Sequence, residues 1–164
     1  MSERGMGAAV GQVPEYIEMV TGWCKKYYSK PVIVKLTPNI TEVRLPAAAA
    51  KRGGAEAVSL INTINSIVAV ALDSMSPEPS INGKGTHGGD CGPAVKPIAT
   101  SRGSEIAREP ATAGFPISDI VGDPTWGAPA EYTRAGGGDG QGCHGARACG
   151  STCGAEWTPG VARR

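Results

Sequence analysis

Two short apolar runs, separated by an alanine-rich segment, constrain most strongly what this chain folds into. Residues 31–36 and 57–62 are rich in β-branched and other apolar residues without polar alternation, which is typical of strands buried in a parallel sheet. Residues 41–52 favour a helix that Thr41 caps and a glycine pair ends. Strand, helix and strand in this order predict a βαβ unit, with functional loops at the carboxyl ends of the strands.

Apolar periodicity predicts further elements on both sides of this unit. They are a helix over residues 14–28, a helix over residues 94–108 and a strand over residues 115–120. In the first helix, Ile17, Val20, Cys24 and Tyr27 recur three and four residues apart, so we expect one buried apolar stripe. Residues 73–92 are rich in Pro and Gly and favour a long loop. The pattern predicts an α/β fold throughout.

Glycine and aliphatic content divide the chain into two unlike parts. Residues 1–118 hold thirteen of the 24 glycines and the last 46 residues hold eleven, while beyond Val121 the only Ile, Leu, Met or Val is Val161. A segment of that composition buries little apolar surface. We therefore expect a folded unit over residues 1–122 and a poorly packed, glycine-rich continuation over residues 123–164.

Charge and apolar length argue against nucleic acid and membrane as partners. Sixteen Lys and Arg against fifteen Asp and Glu leave a formal net charge of +1, with no basic block to follow a phosphate backbone. The longest apolar run, residues 67–72, is far shorter than the roughly 20 residues that cross a bilayer. Residues 1–5 lack a signal peptide's apolar stretch. We expect a cytoplasmic protein whose cysteines stay reduced.

Polar side chains stand where the two predicted strands end. Lys35 lies at the end of the first strand and Asn62-Thr63 at the end of the second, and parallel pairing would bring them to one edge of the sheet. A lysine facing an amide and a hydroxyl can hold an electron-rich ring and orient a heterocycle by hydrogen bonds. Alternatively, Lys35 extends its ammonium into water and Asn62-Thr63 closes a turn. These residues alone leave both possibilities open.

Glycines in the predicted loop offer a weaker signal. Gly88-Gly89 and Gly92 would let a backbone approach a ligand closely, next to a helix that begins near Pro93, although loops also use glycine simply to turn. No glycine motif of the dinucleotide-binding or P-loop type follows a strand. NAD binding is therefore not expected on this segment.

A metal site is the third chemistry that the residues raise. Cys143, His144, Cys149 and Cys153 are ligand types that suit zinc or an iron–sulfur cluster. Their spacings match no strong zinc pattern. We predict no metal site here, with a small metal-binding module as the alternative.

Several uncommon strings also occur in order along the chain. They are residues 1–7, Gly11-Gln12, the Lys-Leu-Thr-Pro-Asn string 35–39, Asn62-Thr63, Gly88-Gly89 and the Cys-Gly-Pro-Ala-Val-Lys-Pro-Ile-Ala string 91–99. Together they resemble the flavin domain of dihydropyrimidine dehydrogenases, above all the bacterial NAD-dependent type, and more distantly the dihydroorotate dehydrogenases. The resemblance runs in register over residues 1 to about 118. It implies a partial (β/α)8 TIM barrel, comprising about strands 5 to 8.

The resemblance also implies a function and residue roles. The family uses FMN at the carboxyl mouth of the barrel to reduce uracil or thymine to the 5,6-dihydro form. Lys35 resembles the lysine that contacts the flavin ring, Asn62 and Thr63 resemble the pair that bonds the pyrimidine, and Gly92 resembles a backbone contact to FMN. These positions coincide with the sheet edge expected from the βαβ unit.

The family's FMN-phosphate contacts map onto Val121-Gly122 and Cys143-His144, where this sequence departs from the family pattern. The family's paired glycines read Val121-Gly122 here, and its valine-rich last strand reads Gly-Gln-Gly-Cys over residues 140–143. Glycine within a strand costs roughly 0.5–1 kcal/mol relative to alanine. We therefore expect a weakened phosphate site.

The resemblance assigns no catalytic residue to this chain, because the family's acidic cysteine lies in a Cys-Pro-His-Gly string that would end just before Met1. NAD and iron–sulfur clusters belong to other parts or subunits of the family enzyme, so a partner subunit carrying them is expected. A barrel usually needs about 250 residues, and a partial one exposes strand edges. We expect a fragment of the pyrimidine-reducing enzyme that is inactive alone, or alternatively a non-catalytic half-barrel that depends on a partner chain or self-associates.

Overall fold

A parallel sheet of four strands with helices on one face forms the centre of the protein. The computed structural model describes residues 8–82, 84–120 and 140–141. In chain order the elements are α1 (Ala8–Gly11), α2 (Pro14–Tyr27), β1 (Ile33–Lys35), α3 (Arg44–Arg52), β2 (Ala57–Leu60), β3 (Ile64–Ser66), β4 (Ala69–Ala71), β5 (Ser76–Glu78), β6 (Ser80–Ile81), β7 (Lys84–Gly85), β8 (Gly88–Asp90), α4 (Lys96–Ala107), β9 (Ile117–Ile120) and β10 (Gly140–Gln141), with short 3-10 helices at Pro93–Val95 and Pro110–Thr112. The central sheet pairs β1, β2, β9 and β10 in that order, all parallel. The predicted βαβ unit and α/β fold are confirmed.

One face of this sheet carries the hydrophobic core. Val58, Leu60 and Ile117 are at most 3% exposed and share one cluster with apolar side chains of the helices. The alanines of α3, residues 47–50, are all buried, and their small size lets this helix lie close to the sheet. Burial of this cluster is the main stabilising contribution to the α/β unit.

Close contact between α2 and α3 depends on Gly53, which ends α3. A Cβ at this position would lie 2.7 Å from the carbonyl oxygen of Glu18 and 2.7 Å from the Cβ of Thr21, both on α2. The next residue, Gly54, has a φ of +91°, a conformation that favours glycine. The predicted glycine exit of this helix is therefore confirmed, and one of the two glycines also serves packing.

The predicted apolar stripe of α2 is wrong. Ile17 is buried, but Val20, Cys24 and Tyr27 are exposed, and the second buried residue of the helix is Thr21. The reason lies in the partner surface, because α2 packs against the tight turn at the end of α3, where Thr21 lies against the bare backbone of Gly53. Apolar periodicity alone does not contain that information.

Thr41 does not cap α3, which corrects a second expectation. The helix begins at Arg44, and its N-cap residue, Val43, makes no side-chain capping bond. The side chain of Glu42 accepts a hydrogen bond from the N–H of Arg44 at 3.2 Å. The guanidinium of Arg102 donates a hydrogen bond to the carbonyl oxygen of Thr41 at 3.2 Å. The connection between β1 and α3 is thus held by a contact to α4 and runs two residues further than predicted.

Residues 64–90, which we call the antiparallel insertion, contain most of the segment predicted as a loop. Strands β4 and β5 pair, β6 and β7 pair, and β3 pairs with β8 to close the insertion at its base. The predicted loop over residues 73–92 is therefore wrong for half of its residues, which lie in strands β5 to β8. Pairing satisfies backbone N–H and C=O groups without needing an apolar alternation in the sequence.

None of the helices in the described residues combines the length and the apolar content that a membrane crossing requires.

Candidate functional site

The carboxyl edge of β1 and β2 brings Lys35 beside Asn62 and Thr63. The backbone N–H of Leu36 donates to the carbonyl oxygen of Ser59 at 2.9 Å, and the carbonyl oxygen of Leu36 accepts from the N–H of Asn62 at 2.9 Å. These two bonds extend the parallel pairing beyond the ends of the strands. The structure therefore brings together the two predicted site segments, 35 and 62–63.

Lys35 is the first of three polar residues aligned across the sheet. The strand register pairs Lys35 with Ser59, and Ser59 with Ser118, so all three point to the face opposite the helices. Lys35 is exposed, and within the described part of the chain its ammonium has no hydrogen-bond or ion-pair partner. We call Lys35, Ser59 and Ser118 the polar row.

Ser59 is the residue of the polar row whose hydroxyl is buried without a hydrogen-bond partner. Its side chain is 4% exposed, and its hydroxyl oxygen has no hydrogen-bond partner among the described residues. A buried hydroxyl without a partner costs about 1–3 kcal/mol. Ser59 is therefore a covered polar group on the face opposite the helices whose hydrogen bonding the described residues leave unsatisfied.

Asn62 and Thr63 present polar groups at the edge above this row. The side-chain oxygen of Asn62 accepts a hydrogen bond from the N–H of Thr63 at 2.9 Å. Both residues are exposed, and neither the Asn62 amide nitrogen nor the Thr63 hydroxyl has a partner in the part of the chain that the structure describes. A donor amide and a hydroxyl are thus available to a ligand.

Asn39, in the connection that follows β1, links the two loops of the edge. Its amide nitrogen donates to the carbonyl oxygen of Thr63 at 3.0 Å, and its amide oxygen accepts from the N–H of Asn65 at 3.0 Å. The same nitrogen lies 3.2 Å from the hydroxyl oxygen of Thr37. The segment with the predicted pyrimidine-binding pair is therefore tied to the segment that follows Lys35.

The three predicted glycines occupy different environments. Gly92 is buried with a φ of +87° and precedes the 3-10 helix Pro93–Val95, and a Cβ there would meet nothing within 4 Å. Gly88 and Gly89 lie in β8 and not in a loop. A Cβ on Gly89 would lie 2.5 Å from the hydroxyl oxygen of Thr63. The close approach expected at this glycine is thus to a site residue of the protein itself.

The remaining predicted FMN contacts are Val121, Gly122, Cys143 and His144, and they lie outside the described residues. The boundary predicted at residue 122 lies there too. Among the residues that the structure does describe, no group of three or more His, Cys, Asp or Glu side chains is placed to hold a metal ion. The assignments at 121–122 and 143–144 stay predictions.

One ionic contact lies at the opposite, amino end of the strands. Glu56 accepts hydrogen bonds from the ammonium of Lys25 and, at 2.6 Å, from the N–H of Val32. These bonds, that from Lys25 first, lower the pKa of Glu56. On the surface of α3, the guanidinium of Arg44 lowers the pKa of Glu42 to about 2 by a side-chain hydrogen bond. Charge pairing is thus a feature of the scaffold, while the mouth holds an unpaired lysine.

Ser59 and Asn39 are the residues that sequence reasoning did not single out. Ser59 is the one hydroxyl residue inside the apolar run 57–62, and pairing that run in register with residues 33–35 would have placed it beside Lys35. Asn39 belongs to the string 35–39, but the sequence alone predicts no role for its side chain. Its bonds to Thr63 and Asn65 cross 24 and 26 residues, a link that no local pattern shows.

Similarity to known proteins agrees with this geometry. Residues 4–111 match the family model "Dihydroorotate dehydrogenase". The NAD-dependent dihydropyrimidine dehydrogenase subunit PreA of Escherichia coli is 40% identical over 136 residues, which are 83% of this chain and 33% of the relative. The dihydroorotate dehydrogenase B (NAD(+)) catalytic subunit of Thermococcus kodakarensis is 39% identical over 133 residues, 81% of this chain and 41% of that protein.

A solved structure shares the fold. The crystal structure of dihydroorotate dehydrogenase from Eimeria tenella in complex with ferulenol matches with a TM-score of 0.73 at 17% identity, covering 94% of this chain and 45% of that one. The present chain thus spans less than half the length of the relatives it matches. Its parallel strands and covering helices form part of a TIM barrel, and the chain belongs to the dihydroorotate dehydrogenase family.

Proposed function

We propose that this chain forms the flavin- and pyrimidine-holding part of an FMN-dependent oxidoreductase that reduces uracil or thymine to 5,6-dihydropyrimidines. The observation that carries the proposal is the juxtaposition of an unpaired lysine, a buried unpartnered hydroxyl and an exposed Asn-Thr pair at one edge of a parallel sheet. Ligands bind at this edge in open and closed parallel α/β folds. The named relatives that act on pyrimidine rings support the substrate class.

The residues of the mouth fit a flavin. Lys35 offers a positive charge to the electron-rich edge of the ring, and Ser59 offers a hydroxyl that otherwise lacks a partner. Gly92 offers backbone beside open space. When bound, FMN would supply hydride transfer, which no amino-acid side chain provides. Asn62 and Thr63 would orient the pyrimidine through its carbonyl and N–H groups.

The rest of the cofactor site and the electron source are assigned by resemblance. We assign the FMN-phosphate contacts to Val121, Gly122, Cys143 and His144, and no proton-donor role to any described residue. The relatives' names include an NAD-dependent subunit and a catalytic subunit, which supports a partner subunit. The resemblance assigns NAD and iron–sulfur clusters to that partner. Such a reaction would proceed in the cytoplasm. For this chain without its partner, we expect binding but no turnover.

The test is a flavin titration of three chains. FMN fluorescence is followed as wild-type, Lys35→Ala or Lys30→Ala protein is added. Lys30 is also exposed but precedes β1, so it controls for the loss of one positive charge. We expect Lys35→Ala to weaken binding by about tenfold or more, the effect of losing one hydrogen bond to a charged group. Equal affinities for the wild type and Lys35→Ala would remove Lys35 from the site.

A second candidate function is a non-catalytic half-barrel that depends on a partner chain. It is favoured by exposed apolar side chains around β1, since Trp23 is 56%, Tyr27 80% and Ile33 50% exposed. The outer edge of β1 has no neighbouring strand among the described residues, and such edges recruit other chains. Light scattering coupled to size-exclusion chromatography distinguishes the two candidates. A monomer that binds FMN would exclude an obligate partner.

A further inference from the structure

We propose that Asn39 is a positioning residue that orders the segment 62–65 and thereby sets the affinity of the site for the pyrimidine. For its ligand this inference rests on the proposed function. For its geometry it rests on hydrogen bonds within the described residues. Asn39 lies four residues past Lys35, so it connects the flavin-facing strand to the pyrimidine-facing pair.

Both ends of the Asn39 amide bond the same segment. Its nitrogen donates to the carbonyl oxygen of Thr63 and its oxygen accepts from the N–H of Asn65, each at 3.0 Å. One planar amide that donates at one residue and accepts two residues later fixes both the height and the rotation of the backbone between them. An ionised aspartate offers only acceptors, so it cannot reproduce this pair of bonds.

Asn39 can position other residues because its own backbone is held from two sides. The amide of Gln12 donates to the carbonyl oxygen of Asn39 at 2.6 Å. On the other side, the guanidinium of Arg102 donates to the carbonyl oxygens of Ile40 and Thr41 at 3.1 and 3.2 Å. The loop that carries Asn39 is therefore anchored to α4 and to Gln12, which lies between α1 and α2.

Gly89 limits Thr63 from the opposite direction. It faces Asn65 across the β3–β8 pair, and a Cβ there would lie 2.5 Å from the hydroxyl oxygen and 2.7 Å from the Cβ of Thr63. Thr63 therefore has the amide of Asn39 on its carbonyl and the bare backbone of Gly89 against its side chain. The hydroxyl proposed to meet the pyrimidine is constrained at both ends.

A purely local role for Asn39 predicts a different outcome. Its bonds to Thr37, two residues earlier, form a turn that many asparagines make. If that turn were its only role, removing the amide would disturb residues 37–41 and leave the pyrimidine-facing pair unchanged. The two roles can therefore be separated by measuring segment 62–65 directly.

The experiment compares Asn39→Ala and Asn39→Asp with the wild-type chain. Amide hydrogen exchange at Thr63 and Asn65 is measured by NMR, and the FMN-loaded chain is titrated with uracil while the flavin absorbance is recorded. The control is Asn65→Ala, which removes an exposed amide from the same segment but keeps the backbone N–H that Asn39 accepts. Asn39→Asp keeps the acceptor and loses the donor.

For Asn39→Ala we expect faster exchange at Asn65 and uracil affinity lower by about tenfold to a hundredfold, as two net hydrogen bonds imply, with FMN affinity changed less than about threefold. Asn39→Asp should fall between Asn39→Ala and the wild type, and Asn65→Ala should match the wild type. Unchanged exchange at Asn65 in Asn39→Ala would overturn the inference. Flavin and uracil affinities that fall together would overturn it as well, as would a wild-type chain that binds FMN but not uracil.

Failure of the proposed function gives a separate result. If the wild-type chain binds no FMN, the proposed function is refuted, and exchange at Thr63 and Asn65 still decides whether Asn39 orders the segment. Gly89→Ala provides an independent check, because the added methyl group displaces Thr63 without touching Asn39. We expect Gly89→Ala to lower uracil affinity while the amide hydrogen of Asn65, which bonds to Asn39, stays protected from exchange.

Discussion

The two faces of the central sheet differ in polarity and in how far their side chains are satisfied within the chain. The face under the helices presents Val58, Leu60 and Ile117, which are buried and apolar. The opposite face presents Lys35 and Ser59, the first exposed and unpaired, the second buried without a hydrogen-bond partner. Residues adjacent in sequence, such as Ser59 and Leu60, thus belong to different surfaces.

This difference separates what stabilises the fold from what can bind a ligand. Apolar burial on the helix side is satisfied within the chain, so its residues gain nothing from a ligand. The polar row has unmet hydrogen-bonding capacity, and a ligand that supplies a partner gains the free energy that the fold leaves unused there. Substitutions on the two faces should therefore change different measurements.

The largest expected effect comes from truncating neighbouring side chains, one on each face of the sheet. Leu60→Ala removes a fully buried side chain and should lower the free energy of unfolding by about 2–5 kcal/mol. Ser59→Ala should leave stability unchanged or slightly higher, because it removes an unpartnered hydroxyl. Urea denaturation measures both variants.

Flavin titration of the same pair completes this comparison. Ser59→Ala should weaken FMN binding by about threefold to tenfold, the effect of one lost hydrogen bond, at unchanged stability. A Ser59→Ala chain that is markedly less stable, or that binds FMN like the wild type, would show that the two faces are not functionally distinct.

A smaller effect is expected at the α2–α3 contact on the helix side. Gly53→Ala places a methyl group 2.7 Å from the Glu18 carbonyl oxygen and the Thr21 Cβ, and such overpacking costs roughly 1–3 kcal/mol. Gly22→Ala is the matched control, because this position lies mid-helix and its new methyl group would be 4.0 Å from the nearest atom beyond its own helix backbone, the Gly53 carbonyl oxygen. It should stabilise the protein by about 0.5–1 kcal/mol. Thermal denaturation measures both variants. Melting temperatures that shift in opposite directions would support the packing role of Gly53, whereas equal shifts would contradict it.

Much of the scaffold was predictable because its signals are local. Apolar runs marked β1 and β2, and the glycine pair marked the end of α3. Parallel pairing then required Lys35 to lie near Asn62, since strand ends of a βαβ unit share one edge. The family strings added the residue roles, which strand prediction does not supply.

The other features depend on contacts between distant residues. The buried side of α2 is decided by Gly53 of another element, so periodicity selected the wrong stripe. The antiparallel insertion pairs through backbone groups that every residue carries, so its composition resembled that of a loop. Asn39 reaches Thr63 across 24 residues, and such a link is visible only once the strands are in register.

The smallest effect on stability is expected at the amino end of the strands. Glu56 accepts hydrogen bonds from Lys25 and from the N–H of Val32, and these bonds lower its pKa. A lowered folded-state pKa contributes stability that is complete above the ordinary carboxyl pKa of about 4.3 and is lost as the pH falls toward the lowered value.

Glu56→Gln should therefore be slightly less stable than the wild type near neutral pH, and the difference should vanish in acid. The control is Glu78→Gln, which changes an exposed carboxylate with no ion pair in the described part of the chain and should show no such pH dependence. Urea midpoints measured from neutral to acid pH test this. FMN affinity should be the same in all three chains, because the Glu56 contact lies at the end of the sheet away from Lys35 and Asn62. A Glu56→Gln chain that loses flavin affinity would show that charges at the amino end also affect ligand binding at the carboxyl edge.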